Sequence, residues 1–235
     1  SRIVAGLRYT EDEVYSSVTN FFGREGTDIL EIESEKVTGR LAFEMDLSDA
    51  SMAYASYTRG FKPGGSNLTF GREDVIAPIV VLPVFEEETI DAYEVGLKTD
   101  LANGRVRLNG AMFFYEYDNL QYQATDPELF QGGVGNVPES EIYGAEIELG
   151  AFLTDSLVFD ARIALLETEI TASHLALDNV AGERRMNALL ARGFSKFGPE
   201  IQIARAEAIA DVEGNELPKT PSFTANLALS YNKSI

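Results

Sequence analysis

The chain has 235 residues, 45% of them hydrophobic and 24% charged, so its composition is that of a folded protein rather than a disordered one. Its 38 acidic and 19 basic residues give a formal net charge of −19, which argues against a nucleic-acid partner because phosphate binding needs a basic surface. The absence of cysteine excludes disulfides and thiolate metal sites, and no run of about eighteen apolar residues predicts a transmembrane helix.

Segments in which apolar and polar residues alternate recur along the whole chain, and a period of two predicts β-strands. The longest begins at Arg105, with Val106 to Phe114 on an apolar face and Arg105 to Tyr117 on a face that carries charge and amide. Eight strands are predicted, at residues 2–10, 40–47, 52–59, 92–98, 105–121, 145–151, 157–165 and 223–231. Several approach the 9–11 residues that cross a bilayer when tilted.

The predicted connections alternate in length. Short turns are predicted near Asp49, Asn103 and Asp155, and Asn103-Gly104 is the strongest hairpin dipeptide. Long connections are predicted after Thr10 through Glu35, at 60–89, at 122–141 and at 168–217, with a short extra strand possible in 75–85 and a helical turn or two in 183–192. In an up-and-down meander all short turns then lie at one end, as in outer-membrane barrels with short periplasmic turns and long extracellular loops.

The polar face of the strands is open to two interpretations. It carries charges of both signs, such as Arg40, Glu44, Glu148 and Arg162. In a membrane barrel this face lines a lumen and opposite charges pair across strands; in a soluble β-sandwich it is the outer, hydrated face. Aromatic residues near strand ends fit either an interfacial girdle or the ordinary strand preference for aromatics: Tyr9, Tyr93, Phe114, Phe223 and Tyr231.

Six segments, taken in order, resemble the barrel domain of TonB-dependent outer-membrane receptors of the iron-complex type. They cover most of the chain, and their order is more specific than any one of them. They are Gly6–Thr10, Tyr54–Gly65 followed by Asn67, Tyr93–Lys98, Phe113–Gln121, Gly144–Glu148, and Gly214–Pro218 followed by Pro221 and Phe223.

The resemblance implies an all-β, antiparallel transmembrane barrel of about 22 strands, with an N-terminal plug. It implies active uptake of a scarce nutrient such as a ferric siderophore, in the outer membrane of a Gram-negative bacterium, with the TonB–ExbB–ExbD complex acting through the plug. We expect residues 1–235 to be part of one barrel domain of about eight strands, because no plug, TonB box or terminal aromatic strand is found here. A passive porin-like channel and a soluble β-sandwich ligand-binding module are the alternatives.

No catalytic set, cofactor motif or metal site is predicted. His174 is the only histidine and lies in a predicted loop, the acidic stretches at 31–35 and 86–91 lack EF-hand spacing, and Gly132–Gly135 lacks the strand–helix context of a dinucleotide site. The predicted partners are outer-membrane lipid and a small-molecule or metal-chelate ligand. Ligand contacts are predicted in the upper lumen, where the alternative is packing against loops or a plug: Arg59, Lys62, Tyr115, Tyr117, Gln121 and Tyr122.

Overall fold

The computed structural model describes residues 1–17, 29–67, 82, 84–125, 132–196 and 198–232. Eight long strands form its main sheet: β1 (Arg2–Ser17), β2 (Ile29–Ser48), β3 (Ser51–Lys62), β6 (Glu88–Leu101), β7 (Val106–Thr125), β8 (Gly132–Phe152), β9 (Leu157–Ile170) and β12 (Phe223–Tyr231). Two small two-stranded sheets pair β4 (Gly65–Ser66) with β5 (Val84–Phe85), and β10 (Leu175–Leu177) with β11 (Ile209–Asp211).

The main sheet is an antiparallel meander in the order β1-β2-β3-β6-β7-β8-β9-β12, and over the described residues it is open, with β1 and β12 at its edges. The eight predicted long strands are thus confirmed. The predicted short turns are confirmed too, and all three lie at one end of the sheet. In the turn after β6, Ala102, Asn103 and Gly104 all have positive φ (52°, 56° and 82°), a conformation that glycine and asparagine tolerate best.

The strand registers place apolar side chains from all eight long strands on one face. One cross-strand row runs through directly paired residues, and the rows beside it are similarly apolar: Ile3, Phe43, Ala55, Val95, Met112, Ala145, Leu165 and Phe223. Met112 on this face is 64% exposed and Leu227 is 66% exposed. A continuous apolar surface of this extent is too large to face water in a monomeric soluble protein.

An aromatic row borders the apolar band at the end where the long connections lie. Tyr57, Tyr93, Phe114 and Tyr143 pair in sequence across four strands. The ring centroids of Tyr57 and Tyr93 are 5.2 Å apart, and those of Tyr93 and Phe114 are 6.4 Å apart. From Val106 to Phe114 the band is nine residues long, which at about 3.3 Å per residue and a tilt of about 40° gives a height of about 23 Å.

Two of the predicted girdle residues, Tyr93 and Phe114, lie in this aromatic row. Phe223 lies one pairing level further into the apolar band, opposite Leu165, and Tyr231 pairs with Leu157 at the end of the short turns. Tyr9 is on the same face, opposite Val37. All five predicted aromatics are therefore on the apolar face, although they do not share one level.

The opposite face is polar, and its charges pair across strands as predicted. Arg2 forms an ion pair with Glu44 directly opposite, and Arg162 Nε lies 3.4 Å from an oxygen of Glu148, its register partner. Tyr54 on this face donates a hydrogen bond of 2.6 Å to Glu94. Exposed ion pairs contribute little stability, so they indicate which face is hydrated more than they hold the sheet together.

Aromatic rings cover glycines on the polar face of the sheet. The Tyr54 ring lies against Gly96, its direct register partner, so closely that a Cβ on Gly96 would overlap the ring. The Phe113 ring lies in the same way over Gly144, and a Cβ there would also overlap the carbonyl oxygen of Leu165. These glycines are needed because only a residue without a side chain lets the neighbouring ring lie flat on the sheet.

Two predicted loops are largely strand. β1 and β2 continue as a ladder up to the pair Ser17–Ile29, so residues 11–17 and 29–35 of the predicted polar loop are strand, and its residues 18–28 lie outside the described residues. β7 and β8 continue to the pair Thr125–Gly132, so the predicted loop at 122–141 is wrong. These extensions lie beyond the aromatic row, where the strict apolar alternation of the lower parts of the strands is absent.

The connection between β9 and β12 contains two helices, α1 (Asn179–Ala191) and α2 (Pro199–Ala206). α1 begins after Asp178, whose side chain accepts a hydrogen bond of 2.9 Å from the Ala181 N–H and caps the helix. The predicted helix at 183–192 is therefore confirmed and is longer than expected. No helix in the described ranges combines the length and apolarity needed to cross a membrane. Most of the apolar patch at 75–85 lies outside the described residues, and Val84–Phe85 forms the short strand β5.

Candidate functional site

Above the aromatic row, the alternation of side chains between the two faces of the β7–β8 hairpin changes phase. Tyr117 and Tyr122 line the same cavity although they are five positions apart in the chain, so the side-chain alternation shifts phase between them. The shift occurs at Asn119, which has a φ of 55°, opposite Pro138, which has no N–H to donate to the ladder. As a result the inner side of the hairpin carries Tyr117, Leu120 and Tyr122 together.

This inner side forms one wall of a cavity of about 560 Å³, and the segment after β9 forms the other. The cavity is mostly apolar, and part of its wall is the small core made by Val137, Ile170 and Leu217. Eight of its seventeen lining residues carry polar side chains: Tyr117, Gln121, Tyr122, Gln123, His174, Asn215, Glu216 and Thr220. A mostly apolar cavity with a few converging polar groups is the common form of a small-molecule site.

Tyr122 and His174 form the main polar contact of the cavity. The Tyr122 hydroxyl lies 2.9 Å from His174 Nε2, and the two rings meet edge to face with centroids 5.5 Å apart. Burial lowers the pKa of His174, with Asp211 partly opposing the shift, and burial raises the pKa of Tyr122. Both residues are therefore held in their neutral forms at neutral pH.

Asp211 fixes the position of His174. Its carboxylate accepts hydrogen bonds from the Ser173 hydroxyl at 2.6 Å, from the His174 backbone N–H at 3.0 Å and from the Glu213 backbone N–H at 3.1 Å. The Ser173 hydrogen bond, followed by the two backbone hydrogen bonds, lowers the pKa of Asp211. The histidine is thus attached to the β10–β11 hairpin rather than free in a loop.

Gln121 fastens the β7–β8 hairpin to the neighbouring connection. Its side-chain amide donates to the carbonyl oxygens of Pro63 and Glu86, at 2.9 and 3.0 Å, and its backbone N–H donates to Glu88 Oε2 at 2.7 Å. The donor capacity of this amide is therefore used within the protein, which makes Gln121 a positioning residue for the cavity wall.

The structure brings together three of the six predicted site residues, because Tyr117, Gln121 and Tyr122 line the cavity. Tyr115 lies lower on the polar face, stacked on Phe113 with centroids 4.8 Å apart. Lys62 is exposed and pairs in register with Glu88.

Arg59 does not lie on the predicted lumenal side. Its register partner is Asp91, and its alternation with Tyr57 places it on the outer face just above the aromatic row. Its guanidinium is 3.5 Å from an oxygen of Asp91. The lumenal assignment of Arg59 is corrected because adjacent residues of a strand face opposite sides, and Thr58 occupies the inner one.

The sequence reasoning did not connect His174, Leu217 or Thr220 with the cavity. The Leu217 N–H donates to Thr168 Oγ1 at 2.9 Å, which fastens the segment around Glu216 to the end of β9. The only sequence feature that pointed to this segment was the Gly214–Pro218 motif. The carbonyl of its Asn215 accepts a hydrogen bond of 2.9 Å from the Ile170 N–H. Nearby, the Ser140 hydroxyl oxygen is buried and has no hydrogen-bond partner in the described structure.

The cavity is suited to holding an uncharged group by ring contacts and hydrogen bonds. Two tyrosines and a neutral imidazole provide aromatic faces with polar tips, and Glu216 is the only charged residue in its lining. Over the residues that the structure describes, no cluster of three or more His, Asp and Glu side chains is arranged to bind a metal ion.

Two solved structures that share this fold are described as receptors. The chain superposes on the ferric yersiniabactin uptake receptor FyuA from Yersinia pestis with a TM-score of 0.60 and 18% identity, covering 97% of this chain and 28% of that one. It superposes on the siderophore receptor PiuA from Acinetobacter baumannii with a TM-score of 0.61 and 21% identity, again over 97% of this chain and 28% of that one. At these identities the likeness shows a shared fold.

Sequence comparison gives a concordant result. A protein of Acinetobacter baumannii, described as the probable TonB-dependent siderophore receptor PiuA, is 24% identical over 200 residues, which are 84% of this chain and 23% of that protein. The chain thus spans about a quarter of the length of these relatives. Residues 2–234 match the family model described as TonB dependent receptor-like, beta-barrel, and the chain therefore belongs to that family.

Proposed function

We propose that this chain is a section of the barrel wall of an outer-membrane receptor that takes up a scarce nutrient, a ferric siderophore or a similar metal chelate, in a Gram-negative bacterium. The observation that carries the proposal is the eight-stranded meander with one continuous apolar face, found in a chain of the TonB-dependent receptor family. The relatives described as siderophore receptors support the choice of ligand class.

The proposal includes parts outside residues 1–235. A plug domain and further strands complete the barrel, and the TonB–ExbB–ExbD complex supplies energy through the plug. The eight long strands of this chain form part of the barrel wall. The three short turns face the periplasm, and the β7–β8 extension faces the outside together with α1 and α2. Orientation follows from the general sorting of short turns to the periplasmic side.

Within this receptor the cavity contacts the ligand or the loop that closes over it. Tyr117 and Tyr122 supply the ring faces, and His174 fixes the orientation of Tyr122. Lys62 and Tyr115 stay predictions as ligand contacts, whereas Arg59 lies on the outer face and is no longer proposed as one. The support is the cavity's shape and lining, which match an amphipathic small molecule.

Uptake of radiolabelled ferric siderophores by cells whose own receptor gene is deleted tests the function. We expect the complete receptor to restore uptake of one siderophore, and a protonophore to abolish it. Uptake that persists without the proton-motive force would contradict active transport and favour a porin-like channel. Recovery of the native protein in the aqueous phase without detergent would favour the soluble sandwich.

The ligand contact is tested by Tyr122→Ala in the complete receptor. Loss of a stacking ring and its hydrogen bond, at about 1–3 kcal/mol together, should weaken siderophore binding by about five- to 150-fold. Tyr15→Ala is the matched control, because Tyr15 is 61% exposed on β1 and is not among the cavity-lining residues. Equal siderophore affinities of the Tyr122→Ala and Tyr15→Ala variants would show that Tyr122 does not contact the ligand.

A further inference from the structure

A shallow groove of about 490 Å³ lies on the apolar face directly beneath the aromatic row. Ala145 lies at its centre, between its register partners Met112 and Leu165. The short alanine side chain leaves a depression between these longer neighbours, and the rings of Phe114 and Tyr143 border it on the side of the long loops. The groove therefore combines a short side chain at its floor with an aromatic border.

Carboxylates crowd the aqueous side of this groove. Glu167 lines it, and the next outward-facing level holds Glu116, Glu141 and Glu169, which are direct register partners across three strands. Like charges directly opposite each other destabilise a sheet. None of these three has an ion-pair partner in the part of the chain that the structure describes, whereas the nearby Arg59 is paired with Asp91.

We propose that the groove and this carboxylate row bind a phosphoethanolamine-bearing lipid, with an acyl chain in the groove and the primary ammonium group against the carboxylates. The apolar groove supplies the site for the chain, and the unpaired negative charge above it complements the ammonium. The inference rests on the proposed location in a membrane. It goes beyond the uptake function, because it concerns the outer surface and not the ligand path.

The arrangement of the carboxylates favours an ammonium over a divalent cation that bridges lipid phosphates. The described acidic side chains do not converge in a group able to hold a metal ion. An ammonium has three N–H donors and is satisfied by one or two carboxylates from neighbouring strands. A lipid with an anionic head group and no amine would instead be repelled by Glu141 and its neighbours.

Native mass spectrometry of the complete receptor in detergent tests the proposal, with phosphatidylethanolamine and phosphatidylglycerol of identical acyl chains in competition. Two exposed ammonium–carboxylate contacts contribute about 0.2–1 kcal/mol each, so we expect the ethanolamine lipid to be retained about two- to 30-fold more often. Replacing Glu116, Glu141 and Glu169 together by glutamine should abolish that preference while lipid still binds.

A second pair of variants tests the groove itself. Ala145→Phe fills the depression and should lower retention of both lipids, while Ala53→Phe adds the same ring elsewhere on the apolar face, between Met45 and Leu97, and should not. Folding of each variant is checked by its heat-dependent mobility on a detergent gel. If Ala145→Phe does not fold, the competition between the two lipids for the unchanged receptor still tests the proposal.

Equal retention of the two lipids, a preference that survives the glutamine variant, or a phosphatidylglycerol preference that needs Mg²⁺ would each overturn the proposal. These results leave siderophore uptake intact and so are distinct from failure of the proposed function. A protein that stays in the aqueous phase without detergent would overturn the membrane location, and with it the lipid site.

Discussion

Adding a single methyl group at Gly144 should damage the sheet, although the same change at Gly150 should not. Both glycines lie on the polar face of β8. A Cβ at Gly144 would overlap the Leu165 carbonyl oxygen and lie 2.8 Å from the Phe113 ring, whereas at Gly150 the nearest atom is Asp160 Oδ1 at 3.5 Å. The first contact is with backbone, so relief requires the β8–β9 ladder to shift.

The magnitude follows from two opposing effects. Replacing glycine by alanine stabilises a compatible site by about 0.4–1 kcal/mol, because the unfolded chain has less freedom to lose. Overpacking costs about 1–3 kcal/mol. Gly144→Ala should therefore lower the free energy of unfolding by up to about 2.5 kcal/mol, while Gly150→Ala should leave it unchanged or raise it slightly.

Urea unfolding of the complete receptor in lipid vesicles, followed by far-ultraviolet circular dichroism, measures the difference. Combining Phe113→Ala with Gly144→Ala should recover only part of the loss, because the backbone contact with Leu165 remains. If Gly144→Ala and Gly150→Ala unfold at the same urea concentration, the packing of the Phe113 ring on Gly144 does not constrain the strands.

Three further results are expected. Leu217→Ala should destabilise the segment around α1 and α2 by about 2–4 kcal/mol, seen as faster limited proteolysis, because Leu217 is 7% exposed within a small core; unchanged proteolysis would count against that core. Because burial lowers the pKa of His174, the stability that its neutral form contributes is present above its ordinary pKa of about 6.5 and is lost as pH falls below that value. The protection factor of the amides around Tyr122, which is the observed exchange rate corrected for the intrinsic rate at each pH, should therefore be lower at pH 5 than at pH 7.5, and His174→Asn should remove that difference. Arg162→Gln should lower the free energy of unfolding in urea by less than about 1 kcal/mol, because the ion pair of Arg162 with Glu148 is exposed. A larger loss would mean that the ion pairs on the polar face stabilise the sheet.

The membrane-facing part of the fold could be predicted from the sequence because one solvent acts on each face. Lipid on one side and water on the other enforce strict alternation, and residues 105–114 show it plainly. Above the aromatic row that constraint ends. The phase shift at Asn119 and Pro138 then hides the continuing ladder, so residues 122–141 resembled a loop in the sequence.

The candidate cavity was only half predictable for a related reason. Tyr117 and Tyr122 were found because one strand carries both of them. His174 lies 52 residues from Tyr122 along the chain, and only the folding of the segment after β9 brings their side chains together. A contact that depends on the packing of an irregular segment leaves no periodic trace, because neither a strand nor a helix repeat places the two residues.

The sequential order of the meander has a consequence for how its connections can vary among related proteins. Each long strand pairs with the long strands before and after it in the chain, so the register of each pair is fixed locally by its own two strands. The connection from residue 171 to 222 contains two helices and the small two-stranded sheet of β10 and β11 without interrupting the pairing of β9 with β12. Insertions in the long connections therefore add new surface at little cost to the main sheet, and these connections can diversify while the eight-stranded frame stays the same.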